Sequence, residues 1–141
     1  MNNQKINVAL IGAGRAGMIH ARNFKTDVPY ARITAVCDPV GNAAEEAAKE
    51  LEIDKVYKAF NDVMLDESID AVIIATPTKF HCEIAVAAAK AHKHILCEKP
   101  MAMNVEECDI MDKAAKENGV KLQIAFMRRF DLSFMRARKM I

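Results

Sequence analysis

The stretch INVALIGAGRAG at residues 6–17 constrains the chain more than any other. Its almost unbroken apolar run reads as a strand covered on both faces. The run leads straight into Gly12-Ala13-Gly14-Arg15-Ala16-Gly17, a complete G-x-G-x-x-G, and a helical pattern containing Met18, Ile19 and Phe24 follows at once. In that order the first glycine permits a tight turn, the second lets a ligand approach the backbone, and the third lets helix and strand pack closely. The unsatisfied N–H groups that open the helix aim at the same place and favour an anion. A pyrophosphate held by Gly12, Ala13, Gly14, Arg15, Ala16 and Gly17 is the expected occupant.

The rest of the chain repeats the strand-then-helix pattern. Apolar runs at 6–11, 33–37, 55–57, 71–75, 94–97 and 121–126 are read as strands. Asn42 with Glu45, and Asn104 with Glu107, have capping-box spacing, and Gly119 supplies a stop for a helix from about Val105 to Asn118. Val105, Cys108, Met111 and Ala115 share one face of that helix and are expected to pack on the sheet. Strands joined by helical crossovers must run parallel. The fold class is therefore α/β, a doubly wound parallel sheet of about six strands.

In such a sheet ligands lie beyond the carboxyl ends of the strands. Asp38 closes the second strand 21 residues after Gly17, where a carboxylate accepts hydrogen bonds from an adenosine ribose and repels a 2′-phosphate. NAD is expected in preference to NADP. The fourth strand ends in Thr76-Pro77-Thr78, and the fifth in Glu98-Lys99-Pro100. A lysine seldom sits unpaired at the end of a buried strand, so Lys99 is read as a cation placed beside the ligand.

Composition excludes several classes of function. A net charge of +1 offers no global attraction to nucleic acid or anionic membranes. No apolar run approaches the roughly 20 residues needed to cross a bilayer. The beginning of the chain lacks a signal peptide's apolar core, so a cytoplasmic location is expected. Cys37, Cys82, Cys97 and Cys108 form no C-x-x-C pair and read as reduced core thiols, with no metal constellation. Arg128, Arg129, Arg136, Arg138 and Lys139 make a local basic cluster without an accompanying aromatic platform, which argues against nucleic acid.

The loop GAGRAG, the turn ATPTKFH and above all HILCEKPMA resemble the glucose–fructose oxidoreductase and inositol dehydrogenase (Gfo/Idh/MocA) family over essentially the whole chain. QIAFMRRFD resembles its inositol 2-dehydrogenase branch. The resemblance implies an NAD-dependent enzyme acting on a secondary alcohol of a cyclitol or sugar, with Lys99 catalytic and Glu98 a structural or orienting neighbour. It puts His81 near the cofactor loop, although a histidine satisfied by local backbone fits that position equally. It puts Arg129 and Asp131 on the substrate side, and it places His92 where a left-handed backbone is common. Residues 1–127 are then the NAD-binding domain, and 128–141 begin a connection to an α+β substrate domain absent from this chain. Turnover is expected to need that second domain, and the longer protein to be a homo-oligomer. Leu132, Phe134, Met135, Met140 and Ile141 are expected to stand exposed without it. The rival readings are a non-catalytic sugar- or dinucleotide-responsive regulator, which tends to lose the lysine, and a sugar–sugar oxidoreductase with tightly bound NADP.

Overall fold

The computed structural model describes residues 5–140. Its strands are β1 (Ile6–Ile11), β2 (Ala31–Cys37), β3 (Lys55–Tyr57), β4 (Ala71–Ile74), β5 (His94–Cys97) and β6 (Leu122–Ile124). They form one sheet in the order β3-β2-β1-β4-β5-β6, with every pair parallel. The crossovers are α1 (Arg15–Asp27), α2 (Ala43–Leu51), α3 (Phe60–Leu65), α4 (His81–Lys90) and α5 (Val105–Glu117), and α6 (Leu132–Lys139) follows β6. The strand order reverses between β1 and β4, the switch point at which such sheets open a crevice. Among the described residues there is no second sheet, and no helix is long and apolar enough to cross a membrane.

The two-residue period of each strand divides its side chains between two cores. Ala9 and Ile11, Ala35 and Cys37, Val72 and Ile74, and Ile95 and Cys97 face a cluster with Val63, Ile84, Ala88 and Met111. Val8 and Leu10, Val36 and Ile73 face the opposite cluster with Met18, Ala21, Ala44 and Leu51. A sheet apolar on both faces explains the unbroken apolar runs in the sequence. At about 25 cal/mol per Å² of apolar area, these two cores are the main stabilisation of the fold.

Several local expectations change. β2 begins at Ala31 rather than 33, and β6 shrinks to three residues. Asn42 precedes α2 but its side chain caps nothing: at ψ 16 its backbone is not extended, and only its carbonyl accepts, from Glu46 N–H at 2.9 Å. Asn104 is extended, and its side chain accepts from Glu107 N–H at 2.8 Å. Glu107 reaches back to Met103 N–H at 3.0 Å, one residue before the usual box partner. Val105, the first residue of α5, is exposed, whereas Met111 and Ala115 are buried. The same helix runs alongside α4, and its Met111 reaches the cluster on that face of the sheet. Ile19 is exposed too. His92 has φ +55, in the left-handed region expected of it, and Glu52 takes φ +60 where α2 ends.

Candidate functional site

Backbone hydrogen bonds carry the sheet pattern past the strand ends and fix the residues beyond them. Gly12 N–H donates to Cys37 O at 2.8 Å, Ala75 N–H to Ile11 O at 2.8 Å, and Glu98 N–H to Ile74 O at 2.9 Å. The glycine loop, Asp38, the Thr76-Pro77 turn and Glu98-Lys99 therefore share one edge of the sheet.

Each glycine of the loop has its own geometric reason. Gly12 has φ +99, and a Cβ there would lie 2.7 Å from the Ala75 carbonyl carbon and oxygen. A Cβ on Gly17 would lie 2.0 Å from Gly12 O, so only a glycine lets α1 approach its own loop this closely. Gly14 differs: a Cβ there would meet nothing within 4 Å. It precedes α1, whose opening carries neither a side-chain cap nor an acidic residue, and Arg15 and Ala16 stand exposed beside it. Among the described residues no side chain caps the leading N–H groups of α1.

Asp38 is buried at 9% exposure. One carboxylate oxygen accepts from Ala13 N–H at 2.8 Å and the other from Val40 N–H at 2.9 Å. The residue read as a ribose acceptor also braces the glycine loop. Each oxygen has a second lone pair left for a ligand hydroxyl.

Across the edge, Thr76 Oγ1 is buried without a hydrogen-bond partner among the described residues. Its carbonyl lies 2.9 Å from His81 Nε2, and the Pro100 carbonyl lies 3.0 Å from His81 Nδ1. His81, 1% exposed, therefore clamps the turn after β4 to the turn after β5. A neutral ring donates to one of these carbonyls, and a doubly protonated ring to both. Pro77 and Thr78 lead into a short 3₁₀ turn, Thr78–Phe80, ahead of α4.

Lys99 is exposed, the Lys99–Pro100 peptide is cis, and the ammonium makes no hydrogen bond or ion pair among the described residues. It borders a cleft of ≈ 630 Å³ together with Ala125, Phe126, Met127, Arg128 and Arg129. The structure thus brings Arg129 to the cleft of Lys99. Asp131 instead caps α6, accepting from Ser133 N–H at 2.8 Å and Phe134 N–H at 3.2 Å. Arg128 covers the Phe134 ring at 4.7 Å. Leu132, Phe134, Met135 and Met140 are exposed as expected, and Ile141 lies outside the described residues. Burial pushes the Cys37 and Cys97 thiols up to about 12, so neither supplies a thiolate near neutral pH.

Two further buried or half-buried polar residues belong to none of the sequence motifs. His20 on α1 has Nε2 2.6 Å from Glu98 Oε1. Its signal was a polar residue three positions after Gly17, on the helix face that meets the strands. Lys93 is 3% exposed and donates to Asp66 O at 2.8 Å and Ile69 O at 3.0 Å. It lies at the opposite edge of the sheet and is structural, with burial holding its ammonium below the usual lysine range.

Three features fit a pyrophosphate-bridged dinucleotide: the open space at Gly14 before uncapped N–H groups, the Asp38 carboxylate, and the orphaned Thr76 hydroxyl. Comparison with known proteins agrees. The family model described as an oxidoreductase family with an NAD-binding Rossmann fold matches residues 6–126. A scyllo-inositol 2-dehydrogenase (NAD(+)) of Bacillus subtilis is 41% identical over 97% of this chain and 40% of its own. A myo-inositol 2-dehydrogenase of Thermotoga maritima is 35% identical over 95% of this chain and 40% of its own. A crystal structure of scyllo-inositol dehydrogenase from Lactobacillus casei, with bound NAD(H) and scyllo-inositol, superposes with a TM-score of 0.90 at 34% identity. It is matched over 96% of this chain and 40% of that one. The chain spans about 40% of the length of the curated relatives it matches.

Proposed function

Because this chain belongs to the Gfo/Idh/MocA oxidoreductase family, we propose that it forms the cofactor half of an NAD-dependent dehydrogenase of a cyclitol, with inositols the first substrates to test. The observation that carries this reading is the unpaired Lys99 ammonium on the same sheet edge as the glycine loop and Asp38. Residues 12–17 hold the pyrophosphate, with the N–H groups of α1 directed at it. Asp38 receives the adenosine ribose hydroxyls and disfavours a 2′-phosphate, so NAD is taken over NADP. Thr76, Pro77 and Thr78 wall the nicotinamide side, and His81 holds that wall against Pro100.

A bound nicotinamide would supply a two-electron acceptor for the hydride; this chain's residues orient the substrate oxygen, and the hydroxyl proton passes to a base of the second domain. Lys99 donates a hydrogen bond to the substrate oxygen and stabilises charge developing there. Arg129, on the same cleft, meets further hydroxyls of a polyol. Residues 1–127 act as the cofactor domain, and residues from 128 lead toward a substrate domain, in keeping with the share of the relatives that the chain spans. The exposed Leu132, Phe134 and Met135 suit a surface covered by such a domain.

The test is Lys99→Ala. NADH affinity of the chain should stay within about threefold, because Lys99 makes no part of the phosphate or ribose grip. Reduction of NAD by inositols, in a polypeptide of the relatives' length, should fall by about 10³-fold or more. Retained turnover overturns the assignment of Lys99.

A further inference from the structure

The Glu98 carboxylate is shared between two partners. Oε1 lies 2.6 Å from His20 Nε2, and since a carboxylate only accepts, the ring nitrogen carries the proton. Oε2 accepts from the backbone N–H of Lys99 at 3.0 Å. Both side chains are withdrawn from water, at 21% exposure for His20 and 12% for Glu98. The contact joins residues 78 positions apart. It ties the second turn of α1, the helix that opens at the glycine loop, to the residue that presents Lys99.

We propose that His20 is a positioning residue: through Glu98 it fixes the backbone of Lys99 against α1 and so aims the lysine into the crevice. This rests on the reading of Lys99 given above. The strand ladder orders the chain only to Glu98 N–H, which donates to Ile74 O. One residue later, the Lys99 N–H has no strand partner, and Glu98 Oε2 takes its place. Without His20 that carboxylate would be free to turn to solvent, and the Lys99 amide would lose its acceptor. The carboxylate is also kept from its neighbour's ammonium, which leaves the Lys99 charge available to a ligand. Because α1 carries the expected phosphate site at its start, the same link transmits the position of the cofactor to Lys99.

The experiment is amide hydrogen exchange on the 141-residue chain, read at Lys99 by NMR. His20→Ala should speed exchange at the Lys99 amide by about tenfold or more, with amides of β1 and β4 unchanged. His20→Gln should restore protection, because its carboxamide N–H can donate to Oε1. Glu98→Ala should match His20→Ala, and the double variant should add nothing, as expected of residues acting as one unit. Should His20→Ala fail to fold, Glu98→Ala and His20→Gln carry the test. Unchanged Lys99 exchange in either alanine variant overturns the proposal. So does a loss of protection spread through the sheet that glutamine does not restore. NADH titration of the same proteins separates the two readings: absence of binding by the unaltered chain counts against the cofactor site and leaves the exchange result standing.

Discussion

At the scale of single residues, three glycines of one motif have three different duties. Gly12 and Gly17 are demanded by packing, since a Cβ at either would stand 2.7 Å or less from backbone. Gly14 is demanded by nothing in the chain itself. Gly12→Ala should therefore cost about 2 kcal/mol or more. Gly14→Ala should change stability by about 1 kcal/mol or less, yet weaken NADH by about tenfold or more, because its Cβ would occupy the phosphate's space. Thermal melts and NADH fluorescence titrations of the two variants check both expectations, and a Gly14→Ala protein that binds NADH normally would remove the loop from the site. All three glycines and their separate duties were legible in the sequence, but the tightness at Gly12 and Gly17 was not, because it depends on how near β4 and α1 come to the loop. Similarly, Asp38 was legible as a ligand acceptor. Its brace on Ala13 was not, since 25 residues separate the two.

Among the elements, strands were legible wherever burial on both faces made them uniformly apolar. The expected ends of β1, β3 and β5 hold, but those of β2, β4 and β6 shift, because hydrogen bonding, unlike hydrophobicity, decides where a ladder stops. The two capping sequences make the point. Asn104 and Asn42 have the same spacing to a glutamate, but only Asn104 has the extended backbone that carries its side chain over the helix N–H groups. Asn104→Ala should cost about 1 kcal/mol, and Asn42→Ala only a few tenths, in denaturant unfolding. At the opposite edge of the sheet Asp66 accepts from Lys55 Nζ at 2.6 Å, Ser68 Oγ at 2.7 Å, Tyr57 Oη at 2.8 Å and Ser68 N–H at 2.9 Å. The Lys55 ammonium first, then the Ser68 hydroxyl, hold its carboxyl well below the usual carboxylate range. A carboxyl depressed by folding adds stability that is complete above about pH 4 and is lost as the pH falls through the folded value. Asp66→Asn should thus lower Tm by roughly 3–6 °C at pH 7. The gap to the unaltered chain should close as the pH is taken toward about 2, and a gap independent of pH would show that the network is not ionic.

For the whole molecule, the order β3-β2-β1-β4-β5-β6 gathers on one edge residues as distant in sequence as Gly12 and Lys99. Motif spacing made the glycine loop, Asp38 and the Lys99 strand end legible. His20 and the His81 clamp become visible only when α1 and the turns after β4 and β5 are brought together, since each joins residues from different motifs. That edge is proposed as a working dinucleotide site with a ribose-selecting carboxylate. Calorimetric titration of the chain with NADH and then NADPH, at identical salt, tests it most directly. Saturable binding with NADH preferred by about tenfold or more is the predicted result. No saturable heat from either, or NADPH bound as tightly as NADH, would contradict it.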